Sequence, residues 1–201
     1  MTPTEFQAEI KCTDAQLARL QTYADLLEKW QAKINLVGPD TIPDVWSRHM
    51  MDSAQLDPFV PQGAKIADLG SGAGFPGLVL AILRDDVEVH VVESDQRKCT
   101  FMREINRECN AGAFIHNARI EALDPIGADV VTSRALAGLD TLLEFADIHR
   151  LSTGKCLFHK GKRWAEELTA AQKTWMMSVN QHPSRTEPAG RVLELLNIER
   201  A

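Results

Sequence analysis

Apolar residues recur at helical spacing near the start of the chain. Leu17, Leu20, Ala24, Leu27, Trp30 and Ile34 fall on one face of a helix spanning 13–34. Thr13 with Gln16 three residues later is a capping-box start, and the stretch from Asn35 to Pro39 ends the pattern. Pro43 opens a second helix, Val45 to Leu56, which Asp57-Pro58 and Pro61-Gln62-Gly63 close. Residues 1–60 therefore read as an N-terminal helical extension.

From Lys65 the pattern changes to short apolar runs that alternate with amphipathic segments. Strands are predicted over Lys65–Leu69, Val87–Val92, Ala113–His116, Asp129–Thr132 and Lys155–Phe158. Helices are predicted over Phe75–Leu83, Gln96–Cys109, Leu139–Ile148 and Arg163–Met176, with a helical turn at Ile120–Leu123. Two weaker strands, Met177–Gln181 and Arg191–Ile198, flank a loop containing Pro and Gly. The alternation predicts an α/β fold: a seven-stranded, mainly parallel sheet with helices on both faces and an antiparallel edge. Residues 61–201 form this one compact unit.

Composition fits a soluble globular chain, with 44% hydrophobic and 25% charged residues. No apolar run approaches the length of a membrane span, and Met1 to Ile10 lacks an apolar signal core. The chain is expected in the cytosol. Cys12, Cys99, Cys109 and Cys156 form no Cys-x-x-Cys pair and have no histidine at ligand spacing, so they read as reduced thiols and no metal site is expected. The net charge of −6 is unlike that of a nonspecific nucleic-acid binder. Two local basic clusters remain, Arg97-Lys98-Arg103-Arg107 and Lys155-Lys160-Lys162-Arg163; each reads equally as a solvated face.

The chemistry concentrates between the first predicted strand and its helix, in Asp68-Leu-Gly-Ser-Gly-Ala-Gly-Phe-Pro-Gly77. Gly70, Gly72 and Gly74 let the backbone turn sharply and approach a ligand, and Pro76 fits the first turn of the following helix. Such a turn at the carboxyl edge of a parallel sheet binds a nucleotide-like ligand. The pattern is Asp-x-Gly-x-Gly-x-Gly rather than the dinucleotide fingerprint, and no Gly-Lys-Ser/Thr follows, which excludes a phosphate loop. Glu93 ends the second strand, where a carboxylate can accept hydrogen bonds from both hydroxyls of a ribose.

Together these features resemble the Rossmann-like, seven-stranded S-adenosylmethionine-dependent methyltransferases. The residues after the fourth strand, Thr132-Ser133-Arg134-Ala135, are not the Pro-Pro signature of amino-group enzymes on nucleobases. Cys156 has neither the Pro-Cys nor the Thr-Cys setting of cytosine-C5 enzymes. A ring nitrogen such as guanine N7 fits these absences, since it carries a lone pair and no proton. Methyltransferases acting on a small molecule or a protein, and a non-catalytic S-adenosylmethionine-binding module, stay open on the same residues.

The chain more specifically resembles the bacterial small-subunit ribosomal RNA guanine-N7 methyltransferases, the glucose-inhibited division protein B family. The matching pieces are Trp30, Asn35-Leu36, Arg48-His49, Asp52-Ser53, the run from Asp68 to Gly77, Ser133-Arg134-Ala135 and Lys160-Gly161. The resemblance implies S-adenosylmethionine as cofactor and a guanosine in the 530 loop of 16S ribosomal RNA as substrate. It implies that the RNA is met within the small subunit or an assembly intermediate, by a monomer and away from any membrane. It places Gly70, Gly72, Gly74 and Phe75 beside the cofactor, Glu93 on the ribose, and Ile120 and Glu121 at the adenine. Arg134 is then the candidate catalytic residue, near the methionine end and the acceptor, and Arg48, His49 and Lys160 would grip RNA. Arg48 and His49 are also spaced to pair with Asp52 on one helix.

Overall fold

The alternation of apolar runs builds one sheet of seven strands, in a computed structural model that describes Met1–Ala201. The strands are β1 (Lys65–Leu69), β2 (Glu88–Glu93), β3 (Phe114–Asn117), β4 (Ala128–Arg134), β5 (Arg150–Lys160), β6 (Trp175–Pro183) and β7 (Arg191–Arg200), in the order β3-β2-β1-β4-β5-β7-β6. The first five pair in parallel, and β7 runs antiparallel to both β5 and β6. This is the mainly parallel sheet with an antiparallel edge that the sequence predicts. Strand β1 pairs with β2 on one side and β4 on the other, so the order reverses there and a crevice opens at the strands' carboxyl ends.

Helices cover both faces. On one side lie α1 (Pro3–Ile10), α2 (Asp14–Gln31), α4 (Gly77–Leu83) and α5 (Gln96–Glu108), together with a π-helical segment, Trp46–Met51, that runs into the short α3 (Asp52–Ala54). Phe6, Leu20, Tyr23, Trp46 and Met50 share one core with Leu78, Phe101 and Ile105, so the helices before residue 60 pack onto α4 and α5. On the other side α6 (Leu139–His149) and α7 (Trp164–Ala171) bury Leu143, Ala146 and Leu168 against Val131, Phe158 and Leu195. No helix is long and apolar enough to cross a membrane.

Several boundaries differ from the sequence reading, each for a local reason. Helix α1 lies outside the expected elements, yet it begins on a complete capping box: Thr2 Oγ1 accepts from Glu5 N–H, the Glu5 carboxylate accepts from Thr2 N–H, and Pro3 opens the first turn. Helix α2 has the expected Thr13–Gln16 box but ends at Gln31, three residues short of Ile34. There the Gln31 side-chain oxygen accepts from Leu36 and Val37 N–H, at 2.9 and 3.0 Å, and so pins the reversing chain. Pro76 is the cap before α4 rather than a residue of its first turn, and the Phe75–Pro76 peptide is cis. The expected helix 163–176 stops at Ala171. Trp175 and Met176 instead start β6, where Trp175 is fully buried and its indole N–H donates to Asp140 at 3.0 Å. Strand β5 starts earlier than Lys155 because the chain bulges at Gly154, where a Cβ would stand 2.6 Å from the Ala128 carbonyl oxygen.

Candidate functional site

The run from Asp68 to Gly77 forms a turn braced from below by its own leading acid. Asp68 is buried and accepts from Thr132 Oγ1 (3.0 Å), Gly77 N–H (3.0 Å) and Ser71 Oγ. Burial pushes its carboxyl above the usual range, and the hydrogen bonds from Ser71, Gly77 and Thr132 work against that shift. Asp68 therefore holds the turn to β4 and to the start of α4 and takes no part in the cavity surface. Gly70 and Ser71 N–H both donate to the Val92 carbonyl, at 2.9 and 3.1 Å, which ties the turn to the end of β2.

The three turn glycines are not equivalent. Gly72 has φ +60 and nothing within 4 Å of a Cβ position, so its backbone faces open space in the crevice. Gly74 has φ +95, and a Cβ there would stand 2.6 Å from Leu78 and from the Tyr23 hydroxyl. Gly74 is thus required for packing and lies off the cavity wall, unlike Gly70 and Gly72.

A cavity of ≈ 690 Å³ opens above the turn. It brings together Arg48, His49, Gly70, Gly72, Phe75, Glu93, Arg134 and Lys160 from the residues singled out in the sequence. Glu93 stands half-buried at the end of β2, with one oxygen accepting from Gly72 N–H (3.0 Å) and the other from Asp95 N–H (2.8 Å). A carboxylate has about four acceptor sites, so two remain for hydroxyl donors from a ligand. Ile120 and Glu121 are not on this wall. They open a 3-10 turn after β3; Ile120 is buried and its carbonyl accepts from His149 Nε2 at 2.9 Å, while Glu121 is exposed.

The far wall is an aromatic and ionic stack. Phe75 lies between the Tyr23 ring (5.0 Å, 4°) and the His49 ring (5.0 Å, 26°), with the Arg134 guanidinium 5.1 Å from its centroid. The Tyr23 hydroxyl donates to the Ala73 carbonyl at 2.5 Å. Arg134 donates to the Arg48 carbonyl (3.0 Å), to Asp52 Oδ2 (3.2 Å) and to His49 Nδ1 (3.0 Å). A guanidinium has no acceptor, so His49 Nδ1 must be the acceptor and Nε2 carries the proton, 2.7 Å from Thr41 Oγ1. The imidazole is neutral: burial and the Arg134 charge push it down to about 3.

Neither Arg48 nor His49 pairs with Asp52, as the helical spacing had allowed. The π-helical turn aims Arg48 outward to Glu187 at 3.5 Å, and Asp52 is taken up by Arg134, Gln55 and Thr186. Burial would raise Asp52, but the charges of His159 and Arg134 and the Thr186 hydroxyl outweigh it and hold the carboxyl below its usual range. Lys160 points inward as well. Its Nζ donates to the Ala137 carbonyl (2.9 Å) and pairs with Glu167 at 2.6 Å, with its side chain 7% exposed. Tyr23 and Thr186 escaped the sequence reading as site residues, and Asp52 entered it only as a matched piece and a helical neighbour. Their partners lie 50, 134 and 82 positions away, which no local pattern contains.

The remaining candidates are structural. Cys99, Cys109 and Cys156 are buried and unpaired, and burial pushes the Cys156 thiol up to about 12. Of the two basic clusters, Lys155 is spent on Glu194 at 2.7 Å, and Arg97 and Arg107 pair with neighbouring acids on exposed surface.

Residues 16–191 match the family model described as rRNA small subunit methyltransferase G. The ribosomal RNA small subunit methyltransferase G of Paramagnetospirillum magneticum is 53% identical over 201 residues, covering 100% of this chain and 98% of its own. Among solved structures, a TehB-like SAM-dependent methyltransferase from Corynebacterium glutamicum superposes with a TM-score of 0.59 at 17% identity, over 89% of this chain and 98% of that one. M. jannaschii TYW2, solved in complex with AdoMet, gives a TM-score of 0.60 at 14% identity, over 85% and 80%. The fold is that of the S-adenosylmethionine-dependent methyltransferases.

Proposed function

This chain belongs to the rRNA small subunit methyltransferase G family, and from that premise we propose that it transfers a methyl group from S-adenosylmethionine to N7 of a guanosine in the 530 loop of 16S ribosomal RNA. The observation that carries the reading is the pairing of Gly72 with Glu93. An open left-handed glycine and a half-buried carboxylate with spare acceptor sites face one cavity at the switch point of the sheet. These residues fit S-adenosylmethionine, which has two ribose hydroxyls to donate and no pyrophosphate. Glu93 would take the hydroxyls, and the backbone at Gly70 and Gly72 would pass beside the amino-acid portion. The adenine would extend beyond this cavity towards the N–H groups of the turn at Ile120 and Glu121.

When bound, S-adenosylmethionine supplies a methyl group on a cationic sulfur. In-line transfer then depends on alignment, and the chain's own residues provide it. Phe75 is locked face-on by Tyr23 and His49, and Arg134 fixes the distance between β4 and the π-helical segment. Guanine N7 has a lone pair and no proton, so the reaction needs no general base. The cavity agrees with that: His49 is neutral with both ring nitrogens engaged, and both Asp52 oxygens accept hydrogen bonds. Arg134 is a positioning residue in this reading, because its guanidinium is committed to Arg48, Asp52 and His49. Arg48, whose side chain is 46% exposed at the cavity rim, would exchange Glu187 for an RNA phosphate. His49 and Lys160 would support the RNA-facing wall from within. The protein would act as a cytoplasmic monomer on RNA assembled in the small subunit.

Labelled S-adenosylmethionine, the purified protein and small subunits from a strain lacking it test this reading. The expected result is label in 16S RNA at a guanosine that borohydride and aniline then cleave. Label in ribosomal protein, or none in 16S RNA, would overturn it.

A further inference from the structure

The loop from β4 to α6, Ala135–Gly138, forms the wall between the main cavity and a second cavity of ≈ 430 Å³. Ala135 is held at φ +54, a left-handed conformation that is unfavourable for a residue other than glycine. Leu136 is 38% exposed, yet it leans on the cofactor turn: its Cδ1 lies 2.6 Å from where a Cβ on Gly70 would stand. An exposed apolar side chain on a strained loop needs an anchor to stay there. A buried lysine and a half-buried glutamate provide one. Glu167 Oε2 accepts from Leu139 N–H (3.0 Å) and from Lys160 Nζ (2.6 Å), and Lys160 Nζ also donates to the Ala137 carbonyl (2.9 Å).

From this geometry we infer that Lys160 and Glu167 form a clasp that holds Leu136 against the Gly70 turn, and that Glu167 is a positioning residue for methyl transfer; the second part rests on the function proposed above. The clasp grips the loop by its backbone, at a carbonyl and at an N–H two residues apart, so it sets the path of the chain rather than one rotamer. A lysine 7% exposed is costly to bury unless paired and hydrogen-bonded, and here every bond it makes goes to the clasp. The three atoms nearest the Gly70 Cβ position all belong to Leu136, and the position of the Gly70 turn decides where a bound methyl group stands.

Hydrogen exchange and steady-state kinetics on the full chain test the inference, with Glu167→Ala, Leu136→Ala and the double variant. In Glu167→Ala the amides of 135–139 should exchange about tenfold faster while those of β1 stay as slow as before. Its kcat should fall about tenfold or more with the KM for small subunits unchanged, the pattern for lost alignment. In the Leu136→Ala background the same Glu167→Ala change should cost little more, because the clasp acts through Leu136. Glu167→Gln keeps the acceptor for Leu139 N–H, so it should recover part of both losses; it also stands in if the alanine variant fails to fold. Unchanged exchange at 135–139, or an equal kcat loss with and without Leu136, would overturn the clasp. Wild-type protein that protects 135–139 but leaves 16S RNA unlabelled would instead overturn the proposed substrate and leave the clasp standing.

Discussion

Gly72 and Glu93 contribute to the site in different ways, and single substitutions separate them. A side chain on Gly72 would project into the open cavity, so Gly72→Val should abolish S-adenosylmethionine binding in a calorimetric titration. Stability should fall only by the left-handed strain, roughly 1–2 kcal/mol. Unchanged affinity would contradict this placement of the ligand. Glu93→Ala removes the side-chain acceptors of two backbone N–H groups along with the ligand's, and should weaken binding by about 1–3 kcal/mol. Both residues were legible in the sequence because a glycine turn and a strand-end acid are local signals. Arg134 was legible only as a position. Its partners Arg48, His49 and Asp52 come from 82 to 86 residues away, and nothing in Ser133-Arg134-Ala135 says that the guanidinium is used up.

At the scale of elements, the central strands could be read because they are mostly apolar and buried at successive positions, as Ile66 to Leu69 and Val130 to Ser133 are. The helix ends could not, where a side chain reaches across a gap. Gln31 ends α2 by bonding to residues five and six positions on, which no periodicity contains. Helix α1 was missed although Thr2-Pro3-x-Glu5 is a start signal, since only Phe6 of its face is buried. Its cap should still matter: Thr2→Ala is expected to cost about 1 kcal/mol in urea unfolding, and a loss near zero would mean that α1 contributes nothing to the fold. The sequence pattern places Trp175 in a helix over Arg163–Met176, and the antiparallel partner that claims it instead is β7. Trp175→Ala should destabilise by about 3–5 kcal/mol, as for other fully buried tryptophans, with the hairpin β6–β7 loosening first in hydrogen exchange.

For the molecule as a whole, acid is the expected stress. His49 has a folded-state value of about 3 against an ordinary 6.5, so it folds neutral. Below pH 6.5 the unfolded chain takes up a proton that the folded chain refuses. Stability contributed by this site is therefore full above 6.5 and declines by about 1.4 kcal/mol per pH unit as pH falls towards 3. The buried His159 shifts in the same direction and adds to the decline. Urea unfolding at pH 7 and pH 5.5 should show it, and His49→Asn should flatten the slope; a slope identical in the two proteins would mean that His49 charges in the folded state. The same network joins distant parts of the chain. The loop between β6 and β7 reaches back to the helical extension: Thr186 Oγ1 donates to Asp52, Arg185 N–H donates to Gln55, and the Arg185 guanidinium pairs with Glu9. Domains generally fold as units. Without β6 and β7, Asp52 would keep Arg134 and Gln55 but lose the Thr186 hydroxyl, and Gln55 and Glu9 would lose Arg185. The site is thus complete only with the β6–β7 hairpin in place: one edge of the sheet locks the helices at the opposite end of the sequence.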